Sequence, residues 1–355
     1  MNRATRILTC AGVMITGCND EESAGAPVVK LDESYAVVTE MDIEYAKGLG
    51  YQNSLTTPEA VQLTLDVYSP ENRADSRPVF MFIHGGGFKG GTTTNPEIVE
   101  IAEFYASRGW VFVSVDYRTT EELGEIEGMT QAEAVDYYKG IAPPEWVDHL
   151  VTVAGTVGED GTRVPAGSPE GVQQGTAMYA AQRDAKAALR WIVANASTYN
   201  IDTDFITVGG NSAGAVTAVA LGISDQQDFR DEIPLADDPT LSTTNLDESY
   251  VVSSMVYLWG SNAKLELLDS VYELYRYDSD DPELFMAHGT AEIDTPTPYT
   301  EAEELQGIYD SLGIHNELVP LVDWGHGAWD ARVDDMSLSE LSFDFIVESQ
   351  GLQVE

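Results

Sequence analysis

Ser212 lies in Gly210-Asn211-Ser212-Ala213-Gly214, behind the apolar run Phe205-Ile206-Thr207-Val208 and ahead of Ala215-Val216-Thr217-Ala218-Val219-Ala220. A Gly-x-Ser-x-Gly between a strand and a small, apolar helix makes a turn too tight for side chains two residues either side of the serine. The turn lifts the Ser212 hydroxyl above the sheet at a helix amino end, where it can act as a nucleophile. A second element, His84-Gly85-Gly86-Gly87-Phe88, directly follows the buried run 78–83. Acyl transfer builds negative charge on a carbonyl oxygen, and one fixed N–H aimed at that charge is worth roughly 10²–10³ in rate. Gly86 and Gly87 are assigned as such donors, joined by the N–H of Ala213, and His84 is assigned to bracing the loop. Gly85-x-Gly87-x-x-Gly90 also matches a dinucleotide fingerprint in form. That site needs a helix opening on those glycines, whereas here the next helix signal is Asn95-Pro96, so the match is accidental.

Four separated motifs, HGGGF, GNSAG, HGTAEID and GHGAW, occur in that order. Over roughly residues 40–350 they resemble the α/β-hydrolase superfamily, most closely its carboxylesterase and lipase branch with a triple-glycine oxyanion loop. The resemblance implies an eight-stranded, mostly parallel sheet with the nucleophile after its fifth strand. It also implies the chain order serine, acid, histidine. Of the five histidines, only His326, in Gly325-His326-Gly327-Ala328-Trp329, falls late in the chain in a Gly-flanked loop after the last strand. It matches the family's catalytic position and is suited to serve as general base and then general acid. His288 resembles the structural histidine of the family's HGT motif, and His149 and His315 read as surface residues.

The family's acid stands four residues after the HGT histidine, which here is Glu292, while an aspartate appears at Asp294. Anchoring on the strand end, His288-Gly289-Thr290-Ala291, selects Glu292. Anchoring on the downstream Pro298-Tyr299-Thr300-Glu301-Ala302 selects Asp294, and aspartate is the commoner acid of such triads. Loop insertions gather at the tip, away from the strand end, which tips the balance to Glu292. Both stay open at this stage. Either carboxylate would orient His326 and stabilise its charged form.

Strand signals fall at 38–45, 62–68, 78–84, 110–116, 204–209, 251–258, 284–288 and 317–322, several of them continuous apolar runs of the kind found under helices on both faces of a parallel sheet. Helix signals alternate with them. Asn95 caps a helix opened by Pro96 and closed by Gly109, and its Ile98, Ile101, Ala102 and Tyr105 share one face. Ala185, Ala188, Leu189, Ile192 and Ala196 make a second stripe around 177–198. A third helix follows Gly214, and a last one occupies about 333–349. Residues 119–175 and 224–250 interrupt the alternation and read as insertions, with a cap expected over the domain. Its Tyr137, Tyr138 and Trp146 suit an acyl-pocket wall and the insertion's own small core equally. The expected architecture is one α/β domain over residues 36–355.

The 355 residues hold 60 Asp plus Glu against 18 Lys plus Arg, a formal charge of −42, with 43% hydrophobic residues. Apolar content at that level marks a folded chain with a very acidic surface. Such a field repels nucleic acid and anionic lipid. No metal site is expected, because the histidines include no H-E-x-x-H and Asp278-Ser279-Asp280-Asp281 lacks the glycine and distal glutamate of a calcium loop. No cofactor is expected either.

Residues 1–17 carry Arg3 and Arg6, then a short apolar run, and end Ile15-Thr16-Gly17 ahead of Cys18. These are the proportions of a secretory signal, and the ending resembles the bacterial lipobox, whose cysteine receives lipid. Residues 18–35 read as a flexible tether. The sequence thus points to an exported, membrane-anchored bacterial lipoprotein on the periplasmic or extracellular face, a serine hydrolase cleaving small-molecule or polymeric carboxylic esters through an acyl-enzyme. The rivals are a peptidase of the same fold, for which no peptide-gripping module is seen, and a non-catalytic surface-binding relative, which would typically have lost the serine or the histidine.

Overall fold

A computed structural model describes residues 25–51, 57–72, 75–153, 156–157, 163–164, 168–262, 265, 276–293 and 295–355, with side chains left aside for 151–153, 156–157 and 163–164. The signal segment 1–17, Cys18 and Asp294 lie outside the described residues.

Eight strands form the central sheet: β1 (Val37–Gly50), β2 (Glu59–Pro70), β3 (Arg77–Ile83), β4 (Val111–Val115), β5 (Ile201–Asn211), β6 (Ser254–Leu258), β7 (Glu283–Gly289) and β8 (Asn316–Leu321). Their spatial order is β8-β7-β6-β5-β3-β4-β2-β1. The pairs from β8 through β4 are parallel, and β2 pairs antiparallel with both β4 and β1. This is the mostly parallel sheet expected from the motif order, with the serine turn after the fifth strand. Alternation along β3 shows why its apolar run is continuous. Phe80 and Phe82 face a core shared with helices α1 (Pro96–Ala106) and α7 (Leu338–Gln350), while Val79, Met81 and Ile83 face the opposite core. Both faces of the strand are covered, so neither can be polar.

Asn95 caps α1 through a 3.0 Å bond from the N–H of Glu97, and Gly109 takes the left-handed φ of 111° that closes the connection. On the other face lie α4 (Pro169–Ala194), α5 (Ala213–Ile223) and α6 (Tyr299–Leu312). The start of α4 corrects the sequence reading. It opens at Pro169, capped by Ser168, so the last residues assigned to the first insertion are its initial turns. The stripe at 185–192 belongs to α4, whereas Ala196 lies in the separate short helix Ala196–Tyr199.

The described part of the first insertion contributes α2 (Gln131–Tyr138) and α3 (Pro144–Val153). Trp146 donates its indole N–H to the carbonyl of Gly175 at 2.9 Å and packs edge-on against Phe229, and Tyr137 stacks on Tyr51. Tyr137, Tyr138 and Trp146 therefore form an interior that fastens the insertion to the domain, and none of them lines the serine cleft. The second insertion is stitched to α4 by buried cations. Arg183 pairs with Asp238, Lys186 bonds the carbonyls of Asp225 and Asp228, and Arg190 bonds the carbonyl of Thr244.

Residues 25–35 also depart from expectation. Val28–Val29 pairs in parallel with Gln353–Val354, Val29 is buried, and Lys30 reaches Glu355 at 2.6 Å. The two valines seat on the domain rather than in solvent, so the expected tether cannot extend beyond residue 24 and the folded unit begins ahead of residue 36.

Candidate active site

The turn after β5 explains its own glycines. A Cβ on Gly210 would sit 2.4 Å from the carbonyl carbon of Gly214, and one on Gly214 would sit 1.9 Å from the Ile83 oxygen. Ser212 itself holds φ 53° and ψ −119°, a conformation that costs a non-glycine residue on the order of 1–3 kcal/mol and that the flanking sheet and helix enforce. Its N–H bonds the Leu258 carbonyl at 2.9 Å, tying the turn to β6.

Beside it, the loop 84–88 is held from three directions. The Asn211 side chain accepts from the N–H of Gly85 at 3.0 Å, and Gln174 of α4 donates to the carbonyl of Gly87 at 2.7 Å. The His84 ring is buried, stacked on Tyr117, and bonded to the Gly85 carbonyl at 2.7 Å and to Asp116 at 3.1 Å. His84 thus supports the loop from within. Gly86 and Gly87 both take positive φ, 121° and 63°. No acceptor among the described residues takes up the N–H of Gly86, Gly87 or Ala213. Three donors are therefore left for an oxygen above Ser212.

The loop after β8 brings His326 over the serine, with Nε2 3.0 Å from Ser212 Oγ. That loop crosses the end of β7 closely. A Cβ on Gly289 would lie 2.4 Å from the Trp324 oxygen, and the N–H of Ala291 bonds the same oxygen at 2.9 Å. Glu292 follows and places Oε1 2.9 Å from His326 Nδ1. The geometry brings Ser212, His326 and Glu292 into one hydrogen-bonded chain. Nδ1–H donating to Glu292 leaves Nε2 bare to accept the serine proton.

Two partners of Glu292 were not assigned from the sequence. Thr297 donates its hydroxyl to Oε1 at 3.1 Å and lies 3.0 Å from His326 Nδ1. Its position depends on a loop closed by the N–H of Tyr299 on the Glu292 carbonyl, which an isolated threonine in sequence does not signal. His288, read as purely structural, places Nε2 2.8 Å from the Thr297 carbonyl and 2.9 Å from Glu292 Oε2. The acid is clasped between two histidines.

Burial works against the Glu292 charge, but hydrogen bonds from His288 and His326 overcome it and bring the carboxyl down to about 2 from an ordinary 4.5. A depressed folded value means the carboxylate contributes stability above pH ~4.5 that is lost as pH falls through ~2. Glu292→Gln should remove that component, so acid unfolding curves of parent and variant should converge across this window. Curves that stay parallel would contradict the coupling.

Ser212, His326, Gly86 and Gly87 share a cleft of about 490 Å³, walled by Phe88, Val216, Trp259 and Pro296 and edged by Lys89 and Gln174. Among the described residues of 119–175, only Gln174 reaches it.

The family model described as BD-FAE matches residues 65–127 and 172–255, which span the loop 84–88 and the serine turn. No curated protein matches the chain. The fold is similar to a thermophilic esterase, Est2, of the planctomycete Thermogutta terrifontis. Its propionate-bound form is 20% identical with a TM-score of 0.51, covering 85% of this chain and 94% of that one. The same esterase phosphorylated by paraoxon gives 20% and 0.50, with the same coverage. A truncated carbohydrate esterase from gut microbiota is 16% identical with a TM-score of 0.52, covering 91% of this chain and 99% of that one. With its sheet order and its serine turn after the fifth strand, the chain has the α/β-hydrolase fold.

Proposed function

We propose that the protein is a serine hydrolase cleaving carboxylic esters through an acyl-enzyme. The observation that carries this reading is the chain Ser212 Oγ to His326 Nε2 at 3.0 Å and His326 Nδ1 to Glu292 at 2.9 Å, opening beside three uncommitted N–H groups. His326 takes the serine proton as Oγ attacks the ester carbonyl, and the oxyanion settles against the N–H groups of Gly86, Gly87 and Ala213. The proton then passes to the departing alcohol, and water repeats the sequence on the acyl-enzyme. The structural neighbours support the reading: one is an esterase phosphorylated by paraoxon, and another is a carbohydrate esterase. Purified protein should hydrolyse a short activated ester such as 4-nitrophenyl acetate with a burst of nitrophenol matching the enzyme concentration. No turnover would favour the non-catalytic relative instead.

We further propose export and lipidation at Cys18, supported by the basic start, apolar run and lipobox-like ending of residues 1–18. Among the described residues no helix is long and apolar enough to cross a membrane. Cys18→Ser should therefore move the protein from the membrane fraction to the soluble fraction. Equal partitioning of variant and parent would argue for an ordinary cleaved signal.

A further inference from the structure

Cations are scarce in this chain, 18 against 60 acids. Nearly all those with described side chains are held in place. Arg118 is clamped by Asp184, Lys30 by Glu355, Arg276 by Asp225 and Asp228, and Lys186 by two carbonyls. Lys89 is the exception among the described residues, since its ammonium meets neither carboxylate nor carbonyl. It is half-buried, and it lines the cleft that holds Ser212.

Its place is fixed by the oxyanion loop itself. The Lys89 N–H bonds the Gly86 carbonyl at 3.0 Å, and its carbonyl accepts from the Thr120 hydroxyl at 3.4 Å. The preceding Phe88 is buried, with φ 62°, and its carbonyl accepts from the N–H of Thr120 at 2.9 Å. The stem of Lys89 therefore starts two residues from the oxyanion donor Gly87 and is anchored to the loop that follows β4. Nearby acids do not neutralise it. Glu121 lies beside Gly90 without pairing to Lys89, and Glu292, the acid in the cleft, is buried and engaged by His326 and His288.

We propose that Lys89 is an anion subsite of the Ser212 cleft, and that the preferred substrate is an ester bearing a carboxylate on its acyl or its alcohol half. The proposal rests on the hydrolytic reading of the site. Lys89 lines the same cleft as the apolar Phe88, Val216 and Trp259, and a cation in a partly desolvated cleft attracts a carboxylate more strongly than one surrounded by water. The acidic surface repels such a substrate at long range, so the discrimination is made at short range, by Lys89 itself.

The test compares matched esters in wild type and Lys89→Gln. Phenyl hemisuccinate against phenyl butanoate probes the acyl half, and 4-acetoxybenzoate against its methyl ester probes the alcohol half. The charged-to-neutral ratio of kcat/KM should fall about tenfold or more in one pair, chiefly through KM, with wild type and variant compared at one ionic strength. The pair affected identifies the half that carries the charge. Hydrolysis of the neutral esters with both ratios unmoved by the substitution would overturn the subsite while leaving the hydrolase reading intact. Failure of wild type to hydrolyse any of the four would overturn both.

Discussion

Ser212→Ala is expected to lower ester turnover by roughly 10⁴-fold or more, the scale of removing the nucleophile from an acyl-transfer site. The expected loss is in kcat, because the Gly86, Gly87 and Ala213 donors and the cleft walls remain to bind substrate. Stability should hold or rise slightly. The serine occupies a strained conformation with its side chain directed at His326 rather than into the core, so losing one hydroxyl opens no cavity. Thermal unfolding alongside kinetics checks both halves. Turnover near the parental rate would remove Ser212 from the reaction.

The second large effect separates the two acids. Glu292→Gln keeps the shape and loses the charge. The amide can present its NH₂ to His326 Nδ1, which favours the tautomer protonated on Nε2 and leaves no base facing the serine. A neutral amide at this position should lower kcat by about 10³–10⁴-fold with little change in KM. Asp294→Asn should cost less than about tenfold, because the Glu292 carboxylate already occupies His326 Nδ1 at 2.9 Å and a second acid would have only a field effect. Steady-state kinetics on both variants decides the matter. A severe loss from Asp294→Asn with a mild one from Glu292→Gln would reverse the assignment.

The two glycine motifs were legible in the sequence because backbone geometry demands glycine there: Gly210 and Gly214 abut backbone, and a Cβ on Gly86 would lie 1.8 Å from the Gly90 oxygen. The eight strands were legible because continuous apolar runs such as Val79–Ile83 have few other uses in a chain this acidic. What escaped depends on partners distant in sequence. Arg183, Asp184, Lys186 and Arg190 look like a solvated helix face, yet all are buried, because the second insertion supplies Asp238 and the carbonyls of Asp225, Asp228 and Thr244, and Arg118, just after β4, pairs with Asp184. The same polarity hid the beginning of α4, where Glu170, Gln173 and Gln174 continue the character of the preceding insertion. Lys89 carries no signal of its own in the sequence. Its isolation becomes visible only once the partners of the other cations are known.

The central claim is that Ser212 is the nucleophile of an acyl-transfer site, and reaction with paraoxon tests it most directly. An activated serine displaces 4-nitrophenolate and retains the diethylphosphoryl group on Oγ. Intact-mass and peptide measurements should find one such group per chain, on the peptide bearing Ser212, with ester hydrolysis lost in proportion and no adduct on Ser212→Ala. Phosphorylation at another residue, or undiminished hydrolysis by fully modified protein, would contradict the account.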